Sequence, residues 1–420
     1  MRKSTRQRHP VARHGQQSTP GATSQLLKLI GIGLAVVLVS GLGVVGYVAA
    51  GWLTTVNANA VEIDGTDELP PDIAALEGGF DILLTGVDTC EEEYKKLLGA
   101  RCTGPDSSGT LNDVNLLVHV SDEPRRITAV SFPRDLMIPI PECTDAEGNV
   151  TSAMSKQQLN VAYSDGGLNC VAKTITELTG QDIEFAASVT FGGVIEITDA
   201  IGGVEVCLAS PIKDSHTGLD MAAGNHTIQG VQALQFLRTR HGVGDGSDLG
   251  RIGNQQQYMS SLVRKLLSSD TLSNVPVMLK LADTGLNNVE ASTSLADPMK
   301  IVQIGMAVKD VAYEDIVFLQ YPVVDDPYDR NRVVPDEANA ALMWQAINEN
   351  KQLQVTHEGT ENDGVVVQED PTATAEPSPE ATEGATPTPT ESANSDVVAL
   401  PESIRGSSAA QQTCSNGNGG

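Results

Sequence analysis

Apolar and polar segments alternate along this chain with two different periods, which predicts strands interleaved with helices. Short apolar runs bounded by turn residues indicate strands at residues 80–86, 111–120, 125–132, 202–208 and 316–321. Longer segments with apolar residues at helical spacing indicate helices at residues 171–178, 191–200, 248–267, 298–308 and 336–348. This alternation predicts an α/β fold with a mixed central β-sheet flanked by helices, an α/β/α sandwich in a single domain.

The link between the second and third predicted strands is short, which determines their relative direction. Only residues 121–124 separate the two runs, and so short a link joins antiparallel neighbours. The start of one strand then lies beside the end of the next. We therefore expect Asp113 and Arg134 to meet at one edge of the sheet.

The first 53 residues have the pattern of a membrane anchor. Residues 1–28 carry six Lys and Arg and no acid, and residues 29–53 form an apolar stretch of 25 residues without a charge. That length spans a bilayer, whereas the apolar core of a cleavable signal peptide is shorter. Under the positive-inside rule the basic segment stays in the cytoplasm. We expect a signal-anchor in the cell membrane, single-pass, with everything after it extracytoplasmic.

The rest of the chain divides by composition into three parts. Residues 54–79 are polar and acidic and predict an extracytoplasmic stalk, and residues 80–350 predict the folded domain. Residues 351–420 predict a disordered acidic, Pro/Thr-rich tail, because residues 352–403 contain no Lys or Arg and are dominated by Pro, Thr, Ala and Glu.

Charge and cysteine content agree with an exported domain. The chain has a formal net charge of −27, which makes nucleic acid an unsuitable partner. All six cysteines follow the apolar stretch, on the side of the membrane where disulfides form. Their spacing lacks paired C-x-x-C elements, so we do not expect zinc. Cys90 and Cys102 lie in one polar excursion between two predicted strands, and we expect them to be bonded; the pairing of the others stays open.

Residues 236–256, FLRTRHGVGDGSDLGRIGNQQ, concentrate cationic side chains in this acidic chain. If the segment from Arg238 to Arg240 is extended, the period of a strand places both guanidinium groups on one face. Planar guanidinium forks bind phosphate oxygens two at a time and stay charged at physiological pH. The pattern favours an anion site.

The second half of the same segment predicts the N-terminal turn of a helix. Asp248, Arg251 and Gln255 follow one another at spacings of three and four, which places them on one helix face. Guanidinium groups beside a helix N-terminus suit phosphate binding. A network of surface salt bridges is the alternative. We expect the neighbouring His241 to make a structural hydrogen bond rather than to act as an acid or base.

Six separated stretches occur in the order typical of one family: DILLTGVD, NDVNLLVHVS, ITAVSFPRDL, LNVAYSDGG, GGVEV and ALQFLRTRHGVGDGSDLGRIGNQQ. Through them the chain resembles the LytR-CpsA-Psr family over residues 80–267, and the residues to about 350 are similar to the family's C-terminal part. The resemblance implies a membrane-anchored phosphotransferase that moves a glycopolymer from a polyprenyl-pyrophosphate carrier onto peptidoglycan during cell-wall assembly. Two alternatives remain: a non-catalytic binder of the lipid-linked polymer or wall sensor, and a polyprenyl-pyrophosphate hydrolase.

The resemblance also implies roles for particular residues. A magnesium ion on the pyrophosphate would be held by Asp88, which follows the first strand, and by Asp113, which begins the second. The residues implied for catalysis are Arg134, Arg238, Arg240, Asp248 and Arg251. Those implied for substrate binding are Arg134, Arg238, Arg240, Arg251 and Gln255.

The chain departs from the family pattern at several positions. Leu111 and Asn254 stand where the family has arginines, and Gln158 stands where it has a lysine, although Lys156 lies close. The loop after Asp88 is lengthened and carries two cysteines.

Overall fold

The computed structural model of the chain describes residues 78–95, 102, 110–268, 285, 288–296, 298–356, 364–367 and 396–418. All of them belong to the unit Leu53–Gly420, and the unit Met1–Trp52 lies outside them. In the described ranges no helix is both long and apolar enough to cross a membrane. The anchor predicted at residues 29–53 and most of the stalk predicted at residues 54–79 lie outside the described residues.

The helices and strands follow the predicted order. The helices with described bounds are α1 (Ala162–Thr179), α2 (Phe191–Ala200), α3 (Gly230–Arg238), α4 (Asp248–Leu266), α5 (Pro298–Val308) and α6 (Glu337–Asn348). The strands are β1 (Phe80–Val87), β2 (Asn112–Val120), β3 (Ile127–Phe132), β4 (Met137–Ile140), β5 (Cys143–Thr144), β6 (Val150–Thr151), β7 (Met154–Gln158), β8 (Phe185–Thr190), β9 (Val204–Leu208), β10 (Ile212–Asp214), β11 (Leu219–Met221), β12 (Gly224–Ile228), β13 (Val289–Ala291), β14 (Ile316–Gln320), β15 (Val323–Asp325), β16 (Val333–Pro335), β17 (Gln352–Gln354), β18 (Val365–Val367), β19 (Val397–Ala399), β20 (Gly406–Ser408) and β21 (Thr413–Ser415).

The main sheet is mixed and has the strand order β13-β8-β1-β2-β3-β14-β20 among the described residues. β2 is antiparallel to β3, as the short link predicts, and it is also antiparallel to β1. β8 is parallel to β1, and β14 is parallel to β3. The mixed sheet predicted from the alternation of elements is therefore confirmed.

Helices cover both faces of the main sheet. Successive residues of its central strands point to opposite faces, and they pack against different helices. Leu117 of β2 packs in a core with Val171 of α1 and Met343 of α6. The neighbouring Leu116 belongs to a different core, against which Met259 of α4 packs. The sheet thus lies between two helical layers.

A second sheet, with the order β12-β9-β21-β18, packs on the side of α4 and α3. Its buried Val204 and Val206 share a core with Phe236 of α3 and Tyr258 of α4. α4 therefore has both sheets as neighbours. Its first turn lies where the main sheet, α3 and the second sheet meet.

The prediction of a disordered tail over residues 351–420 is wrong for the described part of that range. β20 extends the main sheet beside β14, β17 pairs with β19, and β18 and β21 belong to the second sheet. Residues 357–363 and 368–395 lie outside the described residues. Composition indicated disorder over the whole range, but Leu400 and Ile404 are buried in the main core, and Arg126 pairs with Asp396 at 3.1 Å.

Three disulfides connect the cysteines. The predicted Cys90–Cys102 bond is present, with Cα atoms 5.4 Å apart. Cys143 is bonded to Cys170, which joins β5 to α1. Cys207 of β9 is bonded to Cys414 of β21, a pairing across 207 positions of sequence that fastens the C-terminal segment to the second sheet.

Candidate functional site

A cavity of about 470 Å³ lies between the main sheet and helices α2, α3 and α4. Most of its wall is apolar. The apolar lining side chains are Leu84, Val114, Leu116, Val189, Phe191, Val194, Ile197, Leu234, Leu237, Met259, Leu262 and Phe318. The lining also includes the arginines of the predicted site, which are Arg134, Arg238, Arg240 and Arg251. The cavity thus combines a long apolar wall with a cluster of four guanidinium groups.

Two of these arginines, Arg134 and Arg251, are held by carboxylates, and we call them the inner pair. Nη1 of Arg134 donates to Oδ1 of Asp113 at 2.9 Å, which confirms that the two residues meet at one sheet edge. Nη2 of Arg251 lies 2.7 Å from Oδ1 of Asp248 and donates to the backbone oxygen of Asp113 at 2.9 Å. Nε of Arg134 also lies 3.6 Å from Oδ1 of Asp248. The Asp248 carboxylate therefore lies beside both guanidinium groups, whereas Asp113 contacts Arg134 through its carboxylate and Arg251 through its backbone oxygen.

The charges of the inner pair are stabilised by this arrangement. Burial by itself would raise the pKa of Asp113, but Arg251 and Arg134 outweigh it and hold that pKa below its ordinary value of 3.8. Burial alone would lower the pKa of Arg134, but Asp113 and Asp248 outweigh it and raise that pKa. The pKa of the adjacent Asp135 is raised, mainly by burial. Arg134 and Asp113 are therefore charged at any physiological pH.

The other two arginines, Arg238 and Arg240, form the outer pair. The condition that the segment from Arg238 to Arg240 is extended is not met at Arg238, which is the last residue of α3. The helix persists because Ala233, Leu234 and Phe236 are all buried in this segment, and that tertiary packing decides the conformation. At Thr239 the backbone becomes extended. Both guanidinium groups still line the same cavity.

The outer pair is positioned by packing and by backbone contacts. The guanidinium carbon of Arg238 lies 4.8 Å from the centre of the Phe191 ring, a cation–π contact. The backbone N–H groups of Arg240 and His241 donate to Oδ2 of Asp214 at 3.2 and 3.1 Å. Oδ1 of Asp214 accepts from the backbone N–H of His216 at 2.9 Å. Asp214 therefore anchors the start of the loop that carries Arg240.

These backbone bonds also keep Asp214 charged. Its burial would raise its pKa, but the hydrogen bonds from His216 and Arg240 outweigh burial and lower the pKa. Sequence reasoning missed this residue. The one available signal was an Asp two positions before His216 in a polar turn, a position where Asp side chains accept from the backbone.

Two amides of α4 hold the end of α3. Nδ2 of Asn254 donates to the backbone oxygen of Phe236 at 2.7 Å, and Nε2 of Gln255 donates to that of Leu237 at 3.0 Å. These oxygens belong to the last turn of α3, where carbonyls have no partner within the helix. Gln255 lines the cavity as its predicted role requires, and at the same time it fixes the helix end that presents Arg238.

The model of the LytR_cpsA_psr family matches residues 53–358 of the chain. The chain belongs to this family. It is 30% identical over 315 residues to the cell wall biosynthesis protein LcpA of Corynebacterium glutamicum, covering 70% of this chain and 58% of LcpA. It is 25% identical over 238 residues to the polyisoprenyl-teichoic acid–peptidoglycan teichoic acid transferase TagT of Bacillus subtilis, covering 55% of this chain and 66% of TagT.

A solved structure shares the fold. Protein gbs0355 from Streptococcus agalactiae has a TM-score of 0.53 and 21% identity, covering 67% of this chain and 91% of that one. The chain spans about half to two thirds of the length of the curated relatives named first. What this LytR_cpsA_psr chain acts on is therefore a matter for proposal.

Of the two acids expected to hold magnesium, Asp88 directly follows β1 and Asp113 lies in the neighbouring strand β2. The backbone N–H of Asp88 donates to the backbone oxygen of Leu111 at 3.1 Å, and the N–H of Leu111 donates to Oδ1 of Asp88 at 2.7 Å. These two bonds place Asp88 beside the start of β2. Asp113 lines the cavity, whereas Asp88 is not among the lining side chains. Among the described residues no group of three or more His, Cys, Asp or Glu is arranged to hold a metal ion. Two carboxylates completed by phosphate oxygens are nevertheless a ligand set that Mg²⁺ accepts.

One further charged contact at the site was not anticipated from the sequence. Asp135 pairs with Nη1 of Arg332 at 2.6 Å, and its other oxygen lies 3.7 Å from Nε of Arg134. Arg332 belongs to the connection between β15 and β16, nearly 200 positions along the chain. Asp135 directly follows Arg134 in the S-F-P-R-D stretch, so the motif could have placed Asp135 near the site. The motif could not predict its partner Arg332, which is distant in sequence.

Proposed function

We propose that this protein is a phosphotransferase that moves a glycopolymer from a polyprenyl-pyrophosphate carrier onto peptidoglycan. The observation that carries the proposal is the composition of the cavity, an apolar wall joined to four arginines. A polyprenyl pyrophosphate has the matching composition, since a long apolar chain ends in a densely charged head group. The names of LcpA and TagT, which refer to cell wall biosynthesis and teichoic acid transfer to peptidoglycan, support the same reaction class.

The apolar wall would take the polyprenyl chain. Side chains such as Ile197, Leu234 and Met259 cannot form the hydrogen bonds that a sugar or a nucleotide would need, so this wall suits an apolar ligand. Burial of isoprene units against them contributes about 25 cal/mol per Å² of apolar surface. The ligand is thereby held by its chain while its head group lies among the arginines.

The arginines would bind the pyrophosphate and stabilise the charge that moves during transfer. The oxygen of an acceptor hydroxyl forms a bond to the phosphorus that carries the glycan. The phosphoanhydride bond then breaks, polyprenyl phosphate leaves with the bonding electrons, and the hydroxyl proton is released. Guanidinium groups already aligned by Asp113 and Asp248 need little reorganisation when this charge develops.

We extend the proposal to a magnesium ion held by Asp88 and Asp113 together with phosphate oxygens. Bound there, the ion would offset negative charge on the pyrophosphate. Asp113 is suited to this role because it stays ionised, with a lowered pKa. Its contact with Arg134 places it at the same end of the cavity as the guanidinium groups.

Transfer from the purified full-length protein tests the reaction. The protein is incubated with a lipid-pyrophosphoryl oligosaccharide and a peptidoglycan fragment, and products are analysed by mass spectrometry. We expect oligosaccharide joined to the fragment through a phosphodiester, together with polyprenyl phosphate. Oligosaccharide phosphate with no joined product would indicate the hydrolase, and an unchanged but bound substrate would indicate the binder.

We also propose the membrane topology that the first 53 residues predict. Protease added to intact protoplasts should digest the protein beyond residue 54, because the catalytic domain is extracytoplasmic. A large fragment that survives in intact protoplasts, but is lost when the membrane is permeabilised, would contradict this topology.

A further inference from the structure

The last described residues, 413–418, cross the second sheet and then run beside the loop of Arg240; we call them the C-terminal strap. The strap begins with β21, which lies between β9 and β18. Nε2 of Gln257, on α4, donates to the backbone oxygens of Cys207 in β9 and Thr413 in β21, at 2.6 and 2.8 Å. The strap lies beyond residues 53–358, the range matched by the family model.

Beyond β21 the strap bonds to the loop that follows Arg240. The N–H of Gly244 donates to the backbone oxygen of Asn416 at 3.1 Å, and the N–H of Asn418 donates to that of Gly242 at 3.2 Å. The side-chain amide of Asn418 donates to the backbone oxygen of His241. Residues 241–244 are therefore hydrogen-bonded to the strap on one side, while Asp214 holds the start of the loop on the other.

The strap has a closely fitted seat. A Cβ atom on Gly417 would lie 1.9 Å from the backbone oxygen of Pro211, so that only glycine fits there. The N–H of Gly417 donates to the hydroxyl of Ser210 at 2.8 Å, and that hydroxyl lies 2.8 Å from Oδ1 of Asn416. Contacts this specific favour one position of the strap relative to the loop.

We propose that the C-terminal strap is a positioning element for Arg240, in which Asn416 and Asn418 fix the loop so that this guanidinium group faces the cavity. The inference rests on the proposed function, because it assigns the strap a part in binding the pyrophosphate. The strap, which lies outside the range matched by the family model, would then contribute to the affinity for the pyrophosphate. Its residues would act through Arg240, without contacting the substrate themselves.

Two variants of the full-length protein test the proposal. A stop codon at position 416 removes Asn416 and Asn418 but retains β21 and the Cys207–Cys414 bond, and Asn418→Ala removes a single side-chain donor. Asn149→Ala, at an exposed asparagine bonded to Asp145 in another part of the fold, is the matched control. Affinity for geranylgeranyl pyrophosphate is measured by calorimetry, and folding by the thermal midpoint.

We expect the truncated chain to bind the probe roughly three- to tenfold more weakly, the effect of losing a few loop-ordering hydrogen bonds. Asn418→Ala should show a smaller loss in the same direction, and the control none. In a background of Arg240→Ala, truncation should cause no further loss, because its effect passes through that side chain. An equal loss in both backgrounds, or no loss in either, would overturn the proposal. If the truncated chain does not fold, the same test is made with Asn418→Ala, whose effect on affinity is compared in the wild-type and Arg240→Ala backgrounds.

Hydrogen exchange separates this proposal from the proposed function. The backbone N–H groups of Arg240 and His241 should exchange about tenfold faster in the truncated apo protein, since the loop then opens more often. This result stands even if the wild-type protein does not bind the pyrophosphate probe, an outcome that would count against the proposed function only. Unchanged exchange at both positions would show that the strap does not position the loop.

Discussion

The inner and outer arginine pairs line one cavity but are held in place by different means. Arg251 is almost fully buried, and each member of the inner pair is paired with a carboxylate, Arg134 with Asp113 and Arg251 with Asp248. The outer pair is positioned by an aromatic ring at Arg238 and by backbone hydrogen bonds near Arg240. Removing one partner of a buried ion pair leaves an unpaired charge and so lowers stability, whereas removing a loop contact mainly changes geometry. Loss of an inner residue should therefore affect folding and turnover, and loss of an outer residue should affect affinity.

Arg251→Ala should have the largest effect. Among the described residues it leaves the partly buried Asp248 with only Nε of Arg134, 3.6 Å away, as a cationic partner, and breaking a largely buried pair in this way costs about 3 to 5 kcal/mol. Urea unfolding measures this loss, and the transfer assay should show no detectable product. Arg330→Ala, at an exposed arginine, is the matched control and should change stability by less than about 0.5 kcal/mol. Equal stability of the two variants would remove the distinction between the pairs.

Asp113→Asn should reduce turnover more than affinity. The substitution keeps the shape of the side chain but removes the charge that aligns Arg134 and that we propose helps to hold magnesium. Loss of one such electrostatic contribution lowers the rate on the order of 10²- to 10³-fold. Single-turnover transfer and calorimetric binding of the probe separate the two quantities. Chelation with EDTA should slow the wild-type protein and have little further effect on the variant; full activity in EDTA would exclude the metal.

The same variant should reveal the pH dependence of the inner pair. Because the pKa of Asp113 is lower in the folded protein than its ordinary value of 3.8, its charged form stabilises the fold. That contribution is fully present above this value and is lost as pH falls through the lower folded pKa. The difference in unfolding free energy between the wild type and Asp113→Asn should accordingly be constant from pH 5 to 7 and shrink below about pH 4. A difference that persists at pH 2 would show that the contact is not electrostatic.

Much of the inner pair could be predicted from the sequence, because its geometry is local. A short link between the second and third strands places Asp113 beside Arg134, and helical spacing places Asp248 beside Arg251. The observed distances of 2.9 and 2.7 Å agree with both expectations. The alternative of a salt-bridge network was correct for the contact between Arg251 and Asp248, and Asp113, Arg134 and Arg251 also line the cavity.

The supports of the outer pair could not be predicted, because they are distant in sequence. Asp214 lies 26 positions before Arg240, and Asn418 lies 177 positions after His241. The C-terminal segment has the composition of a disordered tail, yet a disulfide and several strand pairings order its described part. Neither kind of contact has a signature in composition or periodicity. The alternating arginines would share one face if their segment were extended, whereas buried apolar neighbours produce a helix up to Arg238.

Arg240→Ala should weaken binding and leave stability unchanged. Among the described residues no carboxylate forms an ion pair with the guanidinium group of Arg240, so its removal leaves no buried charge behind. A charge-assisted contact to phosphate contributes about 1.5 to 3 kcal/mol, which corresponds to a loss of roughly 10- to 150-fold in affinity. Calorimetry with geranylgeranyl pyrophosphate and urea unfolding measure the two effects. A clear loss of stability with unchanged affinity would reverse the roles that we assign to the two pairs.

Phe191→Leu should have the smallest effect and tests whether the ring positions Arg238. Leucine keeps the cavity wall apolar but removes the ring face that lies 4.8 Å from the guanidinium carbon. A cation–π contact at a partly exposed site contributes about 0.5 to 1 kcal/mol, so affinity for the probe should fall roughly two- to fivefold. Some of that loss could come from altered packing against the isoprene chain, and a double-mutant cycle with Arg238→Ala separates the two sources. If the ring acts through Arg238, the leucine substitution costs nothing more in the alanine background. If the loss is the same in both backgrounds, the ring contacts the ligand directly and Arg238 depends on Gln255 and the end of α3 for its position.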